Sequence, residues 1–294
     1  MARKILAIVK PNGASVGLIL RELVRRAVVI ARRRMTTFDV TKKVGYGGRK
    51  DDVLTNADTE AQKSYVKSLR ECFPKFSLVG EEDALQFLGK YGVRAYFTID
   101  PIDGTRAYIR RQSHGVGSMI ALVIDGVIES AYIGDVNTQE LFGYRPGSSR
   151  VWRITDLEIS ERLRKPRGKN IGNMYIQLRV REHEYSDIAR KTIDRFKSVS
   201  IDGGSIGTWA ARLWKQEVGA LLIPPSAETP WDSTPVIGIS KKLGYVFLRP
   251  LADGWIEYEP VLSHEKYYRE HETLIIHRNH IRSLEKHMSV QISG

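Results

Sequence analysis

Residues 98–105 read Thr-Ile-Asp-Pro-Ile-Asp-Gly-Thr (TIDPIDGT) and close the short apolar run 95–99. A compact hydrophobic run of that length predicts a buried strand. Pro101, with its fixed φ, bends the chain between Asp100 and Asp103, and Gly104 admits a conformation closed to other residues. Both carboxylates can therefore converge on one point. Gly104 and Thr105 then open a segment whose free amides suit a phosphate. Like charges at about 4 Å repel by about 4 kcal/mol at an effective dielectric of about 20, so the arrangement calls for a cation. Hard oxygen donors without Cys or His favour Mg²⁺ over zinc. The competing reading is an Asp-rich turn that satisfies its own hydrogen bonds.

Outward from this turn the pattern alternates. Residues 77–79, 116–124 and 127–133 predict strands, and Asp125-Gly126 between the last two predicts a tight hairpin, because Asp and Gly tolerate positive φ. Residues 18–30 and 59–73 have helical spacing, the latter stopped by Pro74. The basic positions Arg21, Arg25, Arg32 and Lys43 belong to the first of these amphipathic stretches, and residues 45–50 (GYGGRK) form a cationic turn. In the second half, strands are expected at 174–180, 219–223 and 273–276, with helices at 185–196, 205–214, 234–243 and about 279–287. Residues 166–169 read as a joint, dividing an N-terminal half, 1–165, from a C-terminal half, 166–294, within one compact catalytic unit. The class is mixed α/β in alternating layers.

The 294 residues carry a net charge of +12. The first fifty hold 13 Lys or Arg against Glu22 and Asp39, so the excess is local. A solvated helix face is the simpler reading; attraction of a polyanion is the functional one. No zinc pattern, basic zipper or aromatic RNA-binding motif turns that charge into specific nucleic-acid recognition. A single cysteine, Cys72, excludes an internal disulfide and a thiolate-rich metal site, and is expected to be a small buried hydrophobe. No apolar run approaches the roughly 20 residues of a membrane span, so a cytoplasmic protein is expected.

Three further segments join the turn in sequence order: Asp58 in TNADTEAQ ahead of a helix, Gly80-Glu81-Glu82 after a short strand, and Trp231-Asp232 ahead of another helix. Together with TIDPIDGT they resemble the inositol monophosphatase family of Mg²⁺-dependent, lithium-sensitive phosphatases, over roughly residues 18–287. The resemblance implies an αβαβα sandwich of the kind shared with fructose-1,6-bisphosphatase, a homodimer, and two or three Mg²⁺ ions per site. It implies Glu81, Asp100 and the Ile102 carbonyl as ligands of one metal, and Asp100, Asp103 and Asp232 as ligands of a second. Asp58 and Thr105 match the positions that orient the attacking water, with Glu81 also catalytic; the Gly104 and Thr105 amides match the phosphate site. Gly204-Ser205 matches the family's substrate-side Gly-Ser.

The implied activity is hydrolysis of a small phosphorylated metabolite by a metal-activated water, with inositol phosphate as the first substrate reading. A 3′(2′),5′-bisphosphate nucleotidase and a histidinol-phosphate phosphatase are the alternatives, and a polyanion-binding protein using the basic N-terminal segment is the non-enzymatic one. The departures concern substrate. The usual WDxAAG becomes Trp231-Asp232-Ser233-Thr234-Pro235-Val236, and the acid that often contacts the inositol ring has no clear match, with Glu228 nearest. Arg106 follows the phosphate turn, with Arg110 and Arg111 soon after; one of them is expected either to clamp a second anion or to pair on the surface. Glu82 is expected in a salt bridge, the late histidines in structural or solvated roles, and Trp209, Trp214 and Tyr245 in the core.

Overall fold

The computed structural model describes residues 7–43, 52–82, 86–168 and 170–292. The expected turn at 45–50 lies outside the described residues. Helix α1, Gly13–Arg34, is capped by Asn12, whose side chain accepts from the amides of Ala14 (2.9 Å) and Ser15 (3.1 Å). Val16, Leu20, Leu23, Val24, Ala27, Val28 and Ala31 form its buried stripe, the spacing of one helical face. Its basic last turn complements the helix dipole. Several of its cations are held within the chain: Arg25 pairs with Glu158, Arg26 with Glu22, Arg34 with Glu60, and Arg32 donates to the carbonyls of Val136 and Asn137. Lys43 is not helical as expected; it ends the strand Val40–Lys43, which pairs with Asp52–Thr55.

Helix α2, Asn56–Cys72, lies beside α1. Both cover one face of an eight-stranded sheet whose order is Ser160–Arg162, Trp152–Ile154, Leu141–Tyr144, Val127–Asp135, Gly117–Ile124, Ala95–Asp103, Ser77–Gly80, Gln86–Phe87. The Asp125-Gly126 hairpin is present, with φ of 48° and 76°, the positive pair that a primed two-residue turn demands. Cys72 corrects its expectation: it is exposed at the end of α2.

After the short helix α3, Thr105–Ile109, and helix α4, Asp187–Ile193, come α5, Ile206–Trp214, and α6, Pro230–Leu243. These last two lie between the first sheet and a second, seven-stranded sheet. Its order is Ser198–Ile201, Tyr175–Leu178, Ala220–Ile223, Thr273–His277, Tyr245–Pro250, Gly254–Glu257, Ser289–Gln291. Met119, Ile133, Phe142, Trp209, Trp214, Ile239, Tyr245 and Phe247 interlock there in one core drawn from both sheets and both helices. Helix α4 and α7, Ile281–Glu285, cover the outer face of the second sheet. The sequence of layers is αβαβα. Among the described residues no helix is long and apolar enough to cross a membrane.

His277 is almost wholly buried at the end of its strand. Its Nε2 lies 3.0 Å from the Leu243 carbonyl, and its Nδ1 accepts from the Asn279 amide at 3.0 Å. A second proton on Nδ1 would face that amide, and burial pushes the imidazole down to about 4 from an ordinary 6.5. Because the unfolded chain takes up this proton first, the contribution is complete above pH 6.5 and is lost as pH falls towards 4. Thermal unfolding between those values should show a steeper acid decline for the native protein than for His277→Gln. Parallel profiles would contradict this role.

Candidate metal centre and active site

Two backbone devices bring the acids together. Ser77–Gly80 runs parallel to Tyr96–Ile99, so both strands deliver their carboxyl ends to the same edge. The Glu81 amide donates to the Ile99 carbonyl (3.2 Å), placing Glu81 beside Asp100. The second device is a β-bulge. Asp100 is opposite Met119 and Asp103 opposite Gly117, so one strand takes an extra residue where Pro101 has no amide to offer. In a regular strand residues three apart face opposite sides. The inserted residue cancels one alternation, and Asp100 and Asp103 face the same way.

Asp232 arrives from across the layer. The sequence places it ahead of a helix; it lies inside the first turn, because α6 begins at Pro230, a favoured first helical residue. Thr229 is the residue before that helix, and its hydroxyl donates to Asp232 Oδ2 at 2.6 Å. Asp58 is likewise inside α2, three residues after Thr55, in a reciprocal capping box: its Oδ2 accepts from the Thr55 amide (2.8 Å) and hydroxyl (2.5 Å). The Thr-x-x-Asp spacing at both places is a helix-start signal readable in the sequence.

Asp100, Asp103 and Asp232 each present a carboxylate oxygen within 4.8 Å of the others. Asp100 is 1% exposed, and its Oδ1 has no hydrogen-bond partner among the described residues. Burial, then Glu81, Asp232 and Asp103, hold its carboxyl well above the usual range. Burial and Asp103 push Asp232 up to about 7. Asp103 is also raised by burial, against the Ser205 hydroxyl (2.5 Å), the Gly207 amide (3.0 Å) and the nearby Arg179 cation. A cation placed among the three would favour their ionised forms. The residues fit Mg²⁺: every donor is a hard oxygen, and opposite ligands at about 2.1 Å from such an ion stand about 4.2 Å apart.

Around this cluster the structure brings together most of the expected residues. Thr105 Oγ1 lies 3.1 Å from the Ile102 carbonyl and 3.4 Å from Asp58 Oδ1. Burial pushes the Asp58 carboxyl up to about 6 despite its two Thr55 hydrogen bonds. Gly104 has φ of 87°, and a Cβ there would meet the Ser205 amide nitrogen at 2.7 Å and collide with the Gly115 carbonyl. Gly204 packs on Gly115 too, which carries Ser205 to Asp103. Glu81 and Glu82 share Lys43, whose ammonium lies 2.9 Å from a carboxylate oxygen of each. Glu82 is 1% exposed, and burial with Glu81 beside it pushes its carboxyl up to about 8. The expected Glu82 salt bridge is therefore present.

The arginines are placed differently. Arg106 and Arg110 are exposed on and after α3, and Arg111 lies over the Phe38 ring at 5.8 Å. None of the three borders the cavity of about 190 Å³ that opens beside Asp232. Arg179, Glu228 and Arg269 border it instead. Arg179 and Lys43 carry no local sequence signal, since only the meeting of distant strands gives them these positions.

The chain is similar to several known proteins. A histidinol-phosphatase of Chlorobaculum parvum is 27% identical over 68% of this chain and 73% of its own length. A Nus factor SuhB of Xylella fastidiosa is 35% identical over a segment spanning 38% of each chain. The crystal structure of the extragenic suppressor protein SuhB of Bartonella henselae superposes with a TM-score of 0.67 at 19% identity, over 92% of this chain and 99% of that one. The fold is therefore the αβαβα sandwich that the resemblance implies. Residues 13–288 match the model of the inositol monophosphatase family, and the chain belongs to that family.

Proposed function

We propose that this protein is a Mg²⁺-dependent phosphomonoesterase acting on a small phosphorylated metabolite. The observation that carries the reading is the trio Asp100, Asp103 and Asp232, with a buried, orphaned Asp100 oxygen that only a cation or a proton satisfies. As the resemblance implies, Asp100, Asp103 and Asp232 would hold one metal ion, and Glu81, Asp100 and the Ile102 carbonyl a second. When bound, the ions supply charge neutralisation for the phosphoryl oxygens and a more acidic water. Asp58, fixed by Thr55, positions the Thr105 hydroxyl, which is left to orient a water for in-line attack. Gly104 and Thr105 present backbone amides to the phosphate, and Ser205 and Gly207 hold Asp103 in its rotamer. Both halves of the chain contribute, since Asp232 lies far along the sequence from the others.

The test is phosphate release by purified protein from inositol 1-phosphate, histidinol phosphate and adenosine 3′,5′-bisphosphate, with Mg²⁺ and with EDTA. Release from at least one substrate should require Mg²⁺ and be suppressed by lithium. Release that persists in EDTA, or no Mg²⁺-dependent release from any of the three or from an aryl phosphate, would contradict the proposal.

A further inference from the structure

The cavity beside Asp232 has a character that metal chemistry alone does not require. Ile223, Val236, Phe247, Tyr267 and Ile275 give it mainly apolar walls. At about 190 Å³ it is ring-sized: an apolar cavity of about 150 Å³ accepts benzene. Most of its polar neighbours are already paired. Arg269, 6% exposed, donates to Glu228 (3.0 Å), the Pro224 carbonyl (2.9 Å) and the Ser226 hydroxyl (3.0 Å). Glu228 is neutralised by that contact, and the Tyr258 hydroxyl is 2.6 Å from that of Thr273. A polyhydroxylated ring would bury many hydroxyls among few free partners, which is unfavourable.

Arg179 differs. It follows the strand Tyr175–Leu178 and borders both the cavity and the acidic cluster. Its Nη2 donates to the Gly204 carbonyl at 2.6 Å, and its guanidinium lies 5.7 Å from the Trp209 ring centre. Its Nη1 is buried with no hydrogen-bond partner among the described residues. A planar cation held on one side and unsatisfied on the other is preorganised to take an acceptor.

We propose that Arg179 is the specificity-determining residue of this site: the edge of its guanidinium that borders the cavity binds an anionic or carbonyl-type acceptor on a leaving group whose planar ring fills the apolar space. The substrate class is then an aryl or heteroaryl phosphate ester bearing such an acceptor, in preference to a cyclitol phosphate. The inference rests on the phosphatase reading of the same site.

It is tested by kcat/KM for phenyl phosphate, 3- and 4-carboxyphenyl phosphate and inositol 1-phosphate, using the native protein, Arg179→Met and Arg179→Lys. The native protein should prefer a carboxyphenyl ester over phenyl phosphate by about tenfold or more, the scale of one charge-assisted hydrogen bond. Arg179→Met should collapse that ratio towards one, and Arg179→Lys should retain part of it. A purely structural role would slow all substrates together and leave the ratio intact, which would overturn the proposal. So would a native preference for inositol 1-phosphate. Calorimetric binding of 3- and 4-hydroxybenzoate against phenol gives a readout independent of turnover. Tighter hydroxybenzoate binding that Arg179→Met abolishes supports the role of Arg179 even if no ester is hydrolysed, a failure that would fall on the phosphatase reading alone. Equal binding of these ligands by the native protein and the variant would overturn it.

Discussion

Asp100→Asn is expected to lower Mg²⁺-dependent phosphate release by on the order of 10³-fold while leaving the fold intact. Asp100 lies at the centre of the cluster, with Glu81, Asp103 and Asp232 all acting on its carboxyl. Asparagine keeps the shape and removes the charge that would hold the cation. The same substitution should help the metal-free protein at neutral pH. Carboxyls raised above their unfolded value of 3.8 contribute most below that value, and the contribution is lost as pH climbs through the folded one, about 7 for Asp232. Removing one of the repelling acids should flatten that loss. In EDTA the melting temperature of Asp100→Asn should therefore equal or exceed that of the native protein at pH 8. Near-native turnover by the variant, or a lower melting temperature in EDTA at pH 8, would count against the assignment.

Gly104→Ala should be among the most damaging single-methyl additions in the chain. The residue sits at φ 87°, and its added Cβ would meet backbone atoms of Gly115 and Ser205 that cannot rotate away. Left-handed strain of about 1–2 kcal/mol adds to that clash, for a total of about 3 kcal/mol or more. At this chain length the melting temperature should fall by about 5 °C or more, and displacement of Thr105 and Ser205 should remove activity. Gly126→Ala is the control, because Gly126 has φ of 76° but nothing within 4 Å of its Cβ position. That variant carries only the backbone strain. Equal melting temperatures for the two alanine variants would show that the close approach at Gly104 is not tight.

The contrast between these glycines shows what a linear sequence can convey. Asp125-Gly126 announces its hairpin locally, and the strands around it are legible from their apolar runs. Asp100 and Asp103 are legible as a convergent pair, yet the device that aligns them is a bulge set by pairing with Gly117 and Met119, which no local pattern encodes. The start of α6 was available in principle: Pro230 and the Thr229-x-x-Asp232 spacing mark it, although the apolar periodicity begins only at Thr234. Lys43 reads as part of a basic stretch until its strand lays it against Glu81 and Glu82. The short strands Leu141–Tyr144 and Trp152–Ile154 lack the length for a periodic signal and owe their state to the neighbours they pair with. Arg179 and its cavity come from strands and helices meeting at long range.

The most direct test of the metal centre is anomalous diffraction from crystals soaked in Mn²⁺ and phosphate, with Mn²⁺ standing in for Mg²⁺. A manganese peak enclosed by Asp100, Asp103 and Asp232, with phosphate density on it beside Gly104 and Thr105, is the predicted result. Manganese bound only elsewhere, with the Asp100, Asp103 and Asp232 cluster left empty at saturating metal, would contradict it.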